Sequence, residues 1–222
     1  MIDCEKVGEK FNLETFKRAR ALCIACVNEI IQKTQIGMTE AQGQALIQSV
    51  FREKGVTKFW HPSKFRIARD TMKSFRELPD PDLVIQAHDI CFVDVGPIIE
   101  GHEADYGQTF IVGSVGSQEV DHLIHSCHEV FLQTAQAWKN KKLTGKKLYQ
   151  FAQDLTEKFG YELNPLMAGH RLGDFPHKIF SSQKLNEFEY SPNENLWILE
   201  IHIVDKKNNR GAFFEDLLSE QC

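Results

Sequence analysis

Phe92-Val-Asp94-Val-Gly96-Pro-Ile-Ile-Glu100-Gly-His-Glu-Ala-Asp105-Tyr-Gly-Gln-Thr-Phe110-Ile-Val-Gly113 carries two apolar, β-prone runs. Each run holds one carboxylate, Asp94 and Asp105, and a Gly- and Pro-containing turn region separates them. Ile90, Phe92 and Val93 around the first Asp, and Phe110, Ile111 and Val112 after the second, read as strands with a polar intruder. An ionised Asp in such a setting is costly unless it is paired or bound to a cation. If the two runs pair as an antiparallel hairpin, both carboxylates reach one site.

Working outward, the chain repeats itself. Residues 13–35 read as an amphipathic helix that Gly37 breaks, and Thr39-Glu-Ala-Gln42 forms a capping box opening a second helix to about Lys54. Gly55 closes it, and an extended segment with Phe59, Trp60 and His61 follows. A third helix spans about Gln118 to Trp138, with a break at residues 142–145. Thr144 is the candidate cap of a fourth helix reaching about Phe159, where Gly160 ends it before an irregular segment leads to His170. Each half thus reads helix, capped turn, helix, Gly, then a His-bearing segment, which predicts two α+β halves related by a pseudo-twofold axis. Strand-like sequence follows each His: residues 84–95 and the Asp94/Asp105 hairpin in the first half, Leu196–Val204 and Ala212–Leu218 in the second. The prediction is a curved, mostly antiparallel sheet with helices on its outer face. With no linker between them, the halves (about 12–113 and 114–222) are expected to form one domain over 1–222.

Bulk properties exclude some functions. A formal charge of −5 and a pI near 6.0, without a basic stripe, argue against nucleic acid as the main ligand. The start has no apolar signal-like core and no stretch approaches 18 apolar residues, so the expectation is a soluble, cytoplasmic protein without a membrane partner. Six cysteines, at 4, 23, 26, 91, 127 and 222, lack framework spacing and are expected as free thiols. Cys23-Ile-Ala-Cys26 has the spacing of a redox or zinc motif, but Phe16, Ala19, Cys23, Cys26 and Ile30 recur on one helical stripe and read as core.

The remaining candidates lie in the second half. Gly169-His170-Arg-Leu-Gly173 sets a His between glycines, Trp197-Ile-Leu-Glu200-Ile-His-Ile-Val204 is a strand with an embedded carboxylate, and Gly211-Ala-Phe-Phe-Glu215 is another. Four carboxylates converging without cations would repel, so protons or bound cations are required. An oxygen-rich set with one nitrogen suits Mn²⁺, Co²⁺, Fe²⁺ or Zn²⁺, and two ions better than one.

Asp94, Asp105 eleven residues later, Gly169-His170-x-x-Gly173, Glu200, then Phe214-Glu215-Asp216 together resemble the dinuclear metallopeptidases of the pita-bread fold, family M24. That family includes methionine aminopeptidases, aminopeptidase P and prolidases. The resemblance covers nearly the whole chain. It implies two divalent ions, with Asp94 on one, Asp105 and Glu215 bridging both, and His170 and Glu200 completing the second. Glu200 would also handle the proton. His177, seven residues after His170, resembles the family's His that contacts the substrate carbonyl or tetrahedral intermediate. His61 resembles its substrate-facing His. His122, His125 and His128 read as helix-surface residues, and His202, two residues from Glu200, is a candidate support for that carboxylate.

Arg171 and Ile201 replace residues usual in the family, a Gly after the metal His and a Pro after the first metal Glu, and are expected to touch the substrate channel. The implied function is a metal-dependent exopeptidase acting on a peptide or dipeptide, as a monomer or homodimer. The Trp60-His61-Pro62-Ser63-Lys64 segment and its long run to Asp94 favour an Xaa-Pro aminopeptidase or dipeptidase. A methionine aminopeptidase is the alternative, and a catalytically inactive binding module on the same fold a further one.

Overall fold

The computed structural model describes residues 3–113 and 116–219. Residue 114, the expected start of the second half, and Cys222 lie outside them.

All four expected helices form. α1 (Leu13–Lys33) starts where the Asn12 side chain accepts from Thr15 N at 2.9 Å. α2 (Glu40–Glu53) opens on the predicted capping box: Thr39 Oγ1 accepts from Gln42 N at 3.2 Å, and Gln42 Oε1 accepts from Thr39 N at 2.8 Å. α3 (Gln118–Lys141) runs about one turn past its expected end and stops where Lys142 turns left-handed (φ 50°). α4 (Gly145–Lys158) has Thr144 as its cap.

Six strands build one antiparallel sheet: β1 (Lys64–Ile67), β2 (Ile90–Val95), β5 (Tyr106–Ile111), β6 (Glu162–Leu163), β7 (Ile198–Asp205) and β8 (Arg210–Leu217), in the order β1-β2-β5-β8-β7-β6. Between β2 and β5, the short strands β3 (Ile98–Ile99) and β4 (His102–Glu103) form a separate small hairpin. Read from the β5–β8 seam outward, each half contributes three strands in mirrored order, as a pseudo-twofold requires. One expectation needed correction. Residues 84–89 are not a strand, because Val84 only bridges Thr39 and Asp89 Oδ2 accepts from Gln86 N at 2.7 Å in a turn. The edge strand is instead β1, in which polar Lys64 and Arg66 alternate with buried Phe65 and Ile67.

Helices cover the outer face. Cys23, Cys26, Val27 and Ile30 of α1 pack with Val93 and Val95 of β2, and Cys127, Val130 and Phe131 of α3 pack with Leu199, Ile201 and Ile203 of β7. Cys23 and Cys26 are core residues, and the five described cysteines are free thiols. Burial pushes the Cys23 thiol well up and that of Cys26 to about 11, so neither is a ready thiolate. Among the described residues, no helix is long and apolar enough to cross a membrane.

Candidate metal centre

The sheet register lines up the carboxylates. Asp94 on β2 stands opposite Gly107 on β5, Gly107 opposite Glu215 on β8, and Glu215 opposite Glu200 on β7. Directly opposed residues project to one face, so Asp94, Glu215 and Glu200 form a single row on the inner face. Asp105, two residues before Gly107, joins it, as do His61 before β1 and His170. These six residues line one cavity of about 480 Å³, walled by Trp60, Phe75, Leu166 and Met167, with Arg76 and Lys184 on its lining.

Distances are short. His170 Nε2 lies 2.9 Å from Asp105 Oδ2, and His61 Nε2 lies 3.3 Å from Asp105 Oδ1 and 3.5 Å from Asp94 Oδ1. Two groups, His61–Asp94–Asp105 and Asp105–His170–Glu215, place their donor atoms within 4.8 Å of one another, with Asp105 common to both. Glu200 is turned by its backbone neighbours: Gly169 N donates to Oε2 at 2.8 Å, and Tyr149 Oη donates to the Glu200 carbonyl at 2.8 Å. Gly169 has φ +58°, and a Cβ there would sit 2.3 Å from the Ile198 carbonyl, so glycine is required beside His170.

The electrostatics describe a site short of positive charge. Burial, then its neighbouring carboxylates, holds Glu215 well above the usual range, and burial lifts Glu200 to about 7 and Asp94 to about 6. Asp105 alone falls, to about 2, because His61 and His170 together outweigh its burial. Burial opposes protonation of His61, yet Asp94 and Asp105 raise it to about 9. His170 rises as well, burial being overcome by Asp105.

The donor chemistry fits divalent cations. Nδ1 of His61 lies 3.1 Å from the Pro62 carbonyl and Nδ1 of His170 lies 3.0 Å from the Arg171 carbonyl. Carbonyls only accept, so each Nδ1 carries the proton and a neutral ring turns its Nε2 lone pair toward carboxylate oxygens. Such a meeting of acceptors calls for a proton or a cation. Buried Glu215 Oε1 has no hydrogen-bond partner among the described residues, a further donor for a cation.

His177 does not line the cavity. It stacks beside His170, ring centroids 6.0 Å apart, with Trp60 packed edge-on against both rings and against His61. Sequence reading missed Trp60 as the common wall, and it missed Glu103, which binds His177 Nδ1 at 2.7 Å and its backbone N at 3.0 Å. A second acidic residue two positions before Asp105 was the available signal. His202 shares the face of Glu200 but bonds elsewhere, to the Thr71 carbonyl at 2.7 Å and Asn164 Nδ2 at 3.0 Å, between Phe92 and Phe213. Burial lowers it to about 4. His122 pairs with Tyr161 Oη at 2.8 Å, and His128 packs on Phe214. The expectation for Arg171 and Ile201 fails: neither lines the cavity. Ile201 packs in the outer core, and Arg171 is fully buried with Nη2 donating to the Lys6 carbonyl.

The model of metallopeptidase family M24 matches residues 14–219. The chain belongs to metallopeptidase family M24. This M24 chain is 30% identical over 104 residues to a methionine aminopeptidase of Clostridium acetobutylicum, a match spanning 46% of the chain and 40% of that relative. Its fold is similar to an X-Pro aminopeptidase from Thermotoga maritima (TM-score 0.75, 21% identity, 94% of this chain and 58% of that one). It is also similar to an Xaa-Pro dipeptidase from Bacillus anthracis (0.77, 16%, 96% and 61%) and a methionine aminopeptidase from Thermotoga maritima (0.71, 16%, 93% and 96%). The chain therefore spans about half the length of several of these M24 relatives, and at these identities the structures establish the fold alone, the pita-bread fold. The relatives divide between Xaa-Pro and methionine substrates.

Proposed function

We propose that this M24 chain is a metal-dependent exopeptidase cleaving a peptide bond near the N-terminus of a short peptide. The observation that carries the reading is the row Asp94–Glu215–Glu200, joined by Asp105 and His170 in one cavity. Asp94, Asp105, His170, Glu200 and Glu215 would hold two divalent ions, Mn²⁺, Co²⁺, Fe²⁺ or Zn²⁺, with Asp105 shared. Such ions lower the pKa of water toward neutrality and polarise a carbonyl. The single-domain reading of 1–222 belongs to the same proposal, since both halves supply strands to one sheet and residues to one cavity.

The side chains then divide the work. Glu200, lifted by burial, takes the proton of the attacking water and returns it to the leaving amine. We assign His177, which lies outside the cavity lining but stacks on His170 with ring centroids 6.0 Å apart, to the developing oxyanion, where a donor placed in advance costs no reorganisation during reaction. His61 faces the substrate from the first half. Trp60, packed on all three imidazoles, fixes their separation.

For the substrate we favour an Xaa-Pro peptide, an aminopeptidase or dipeptidase specificity. Apolar Phe75, Leu166 and Met167 suit a proline ring, and Arg76 and Lys184 on the same lining suit the free carboxylate of a short peptide. A methionine aminopeptidase is the second reading, favoured by the Clostridium relative. Mn²⁺- or Co²⁺-loaded protein assayed on Ala-Pro, Gly-Pro-Pro and Met-Ala-Ser decides between them. Cleavage of Met-Ala-Ser alone overturns the Xaa-Pro assignment, and cleavage of none, with metal bound, overturns the peptidase reading.

A further inference from the structure

His177 is held at both its backbone and its ring by one carboxylate. Glu103 is fully buried, and its two oxygens take the two polar groups of one residue: Oε1 the backbone N–H of His177 at 3.0 Å, Oε2 its Nδ1 at 2.7 Å. Glu103 is itself pinned, because its backbone N donates to the Gly173 carbonyl at 2.9 Å and its neighbour His102 bridges Asp174. A buried carboxylate of this kind needs a countercharge. The buried Arg171 guanidinium lies beside the residue that pins Glu103: a Cβ on Gly173, whose carbonyl accepts from Glu103 N, would sit 3.2 Å from Arg171 Nη1. Arg171 Nη2 donates to the Lys6 carbonyl, while buried Nε and Nη1 have no hydrogen-bond partner among the described residues.

The N-terminal segment closes this arrangement. Glu5 accepts from Asn193 N, Asn193 Nδ2 and Trp197 Nε1 at 2.7–2.9 Å, and Gly8 N donates to Asp174 Oδ1 at 2.9 Å. Residues 5–8 are thus tied to the same segment that carries Arg171 and Asp174.

We propose that Glu103 and Arg171 are positioning residues for His177: Glu103 clamps its ring and backbone, and Arg171 is the buried countercharge that links this clamp to the N-terminal segment. The inference rests on the peptidase reading only for its kinetic consequence. Glu103 accepts at Nδ1, which fixes the ring orientation and leaves Nε2 as the nitrogen that would meet substrate.

The test uses Glu103→Gln, Glu103→Ala and Arg171→Met, each also made with His177→Ala. Glu103→Ala is expected to lower kcat about 10- to 100-fold, the range seen when such supporting partners are lost, with KM and metal stoichiometry unchanged. Glu103→Gln keeps one acceptor and recovers part of the loss; it also serves if the alanine variant fails to fold. Arg171→Met lowers kcat in the same direction but less. With His177 already replaced, none of the three should reduce turnover further. A full additional loss in that background, or loss of metal through nearby Asp105, overturns the proposal. Nitrogen-15 histidine spectra of the Zn²⁺-loaded protein provide a readout independent of turnover. They should show His177 protonated at Nδ1 in the wild type and altered in Glu103→Ala. Wild-type protein that cleaves no peptide yet shows this signature overturns the peptidase reading and leaves the clamp standing. An unchanged His177 signature in Glu103→Ala overturns the clamp.

Discussion

Gly107 stands directly opposite Glu215 across the β5–β8 seam, and a Cβ on Gly107 would lie 2.9 Å from Glu215 Oε1 and 2.3 Å from the Phe213 ring. The row of carboxylates therefore has a deliberate gap, which Glu215 uses to reach Asp94 and Asp105. Gly107→Ala is expected to push Glu215 aside and weaken divalent-ion binding by about 10- to 100-fold, as loss of ligand orientation does elsewhere. Chelator competition with Mn²⁺ or Co²⁺ measures it. Unchanged affinity would mean that Glu215 does not need this space to act as a ligand.

Asp105 belongs to both candidate donor groups, whereas His61 belongs to one. Asp105→Asn should therefore remove both stoichiometric metal and activity. His61→Ala should lower turnover by about 10²-fold or more, as expected for a group acting on the reacting substrate, with metal content intact. Elemental analysis beside a peptide assay separates the two. Metal lost with His61→Ala would make that residue a ligand, a role its 3.3 and 3.5 Å approaches to Asp105 and Asp94 permit.

Most of this site was legible in the sequence because each carboxylate is a polar intruder in an apolar strand. Asp94, Glu200 and Glu215 announce themselves by position alone, and two-residue alternation puts them on a face. The helices were legible through their caps, Thr39 with Gln42 and Thr144. What escaped has a common cause: its meaning depends on partners distant in sequence. Glu103 is an ordinary acidic residue until His177, 74 positions away, closes on it. Arg171 reads as a channel residue beside His170, but successive residues of an extended segment alternate in direction, and Arg171 turns back toward Lys6. Lys64–Ile67 was too short and too charged to read as a strand before β2 supplied its partner.

The pH dependence of the metal-free protein follows from the same groups. Asp94 at about 6, Glu200 at about 7 and His61 at about 9 all lie above their ordinary values, so the folded state holds protons that the unfolded chain releases. For such groups the stabilisation is full below the ordinary value and is lost as pH rises through the folded one. Their sum predicts a falling Tm between about pH 5 and 9 in EDTA. His202, lowered to about 4, acts oppositely, costing stability as pH falls below its ordinary value toward 4. Divalent ions replace the protons, so loaded protein should lose this decline, and loading at pH 6.5 should release protons. Thermal scans with and without Mn²⁺, and calorimetry in buffers of different ionisation enthalpy, test both statements. A metal-free Tm that rises through pH 6–8 would contradict the charge balance described above.

Arg66 governs the cavity from behind. Its buried guanidinium donates to Glu40 Oε2 and the Ser74 carbonyl at 3.3 Å each, and to the Glu77 carbonyl. Those bonds fix the segment whose Ser74, Phe75 and Arg76 line the cavity, and Glu77 tightens it by accepting from Ser74 N at 2.6 Å. Removing the guanidinium leaves Glu40 buried without its cationic partner and the Glu77 carbonyl without its donor, a loss of about 3–5 kcal/mol for a broken buried pair. Arg66→Met should therefore lower Tm substantially. It should also raise KM about tenfold, equivalent to ~1.4 kcal/mol of substrate binding, while metal content stays normal because Asp94 is held on β2 by its pairing with β1 and β5 and not by this loop. A variant with unchanged KM would show that Phe75 and Arg76 hold their positions without Arg66, and that the cavity wall is set by β1 instead.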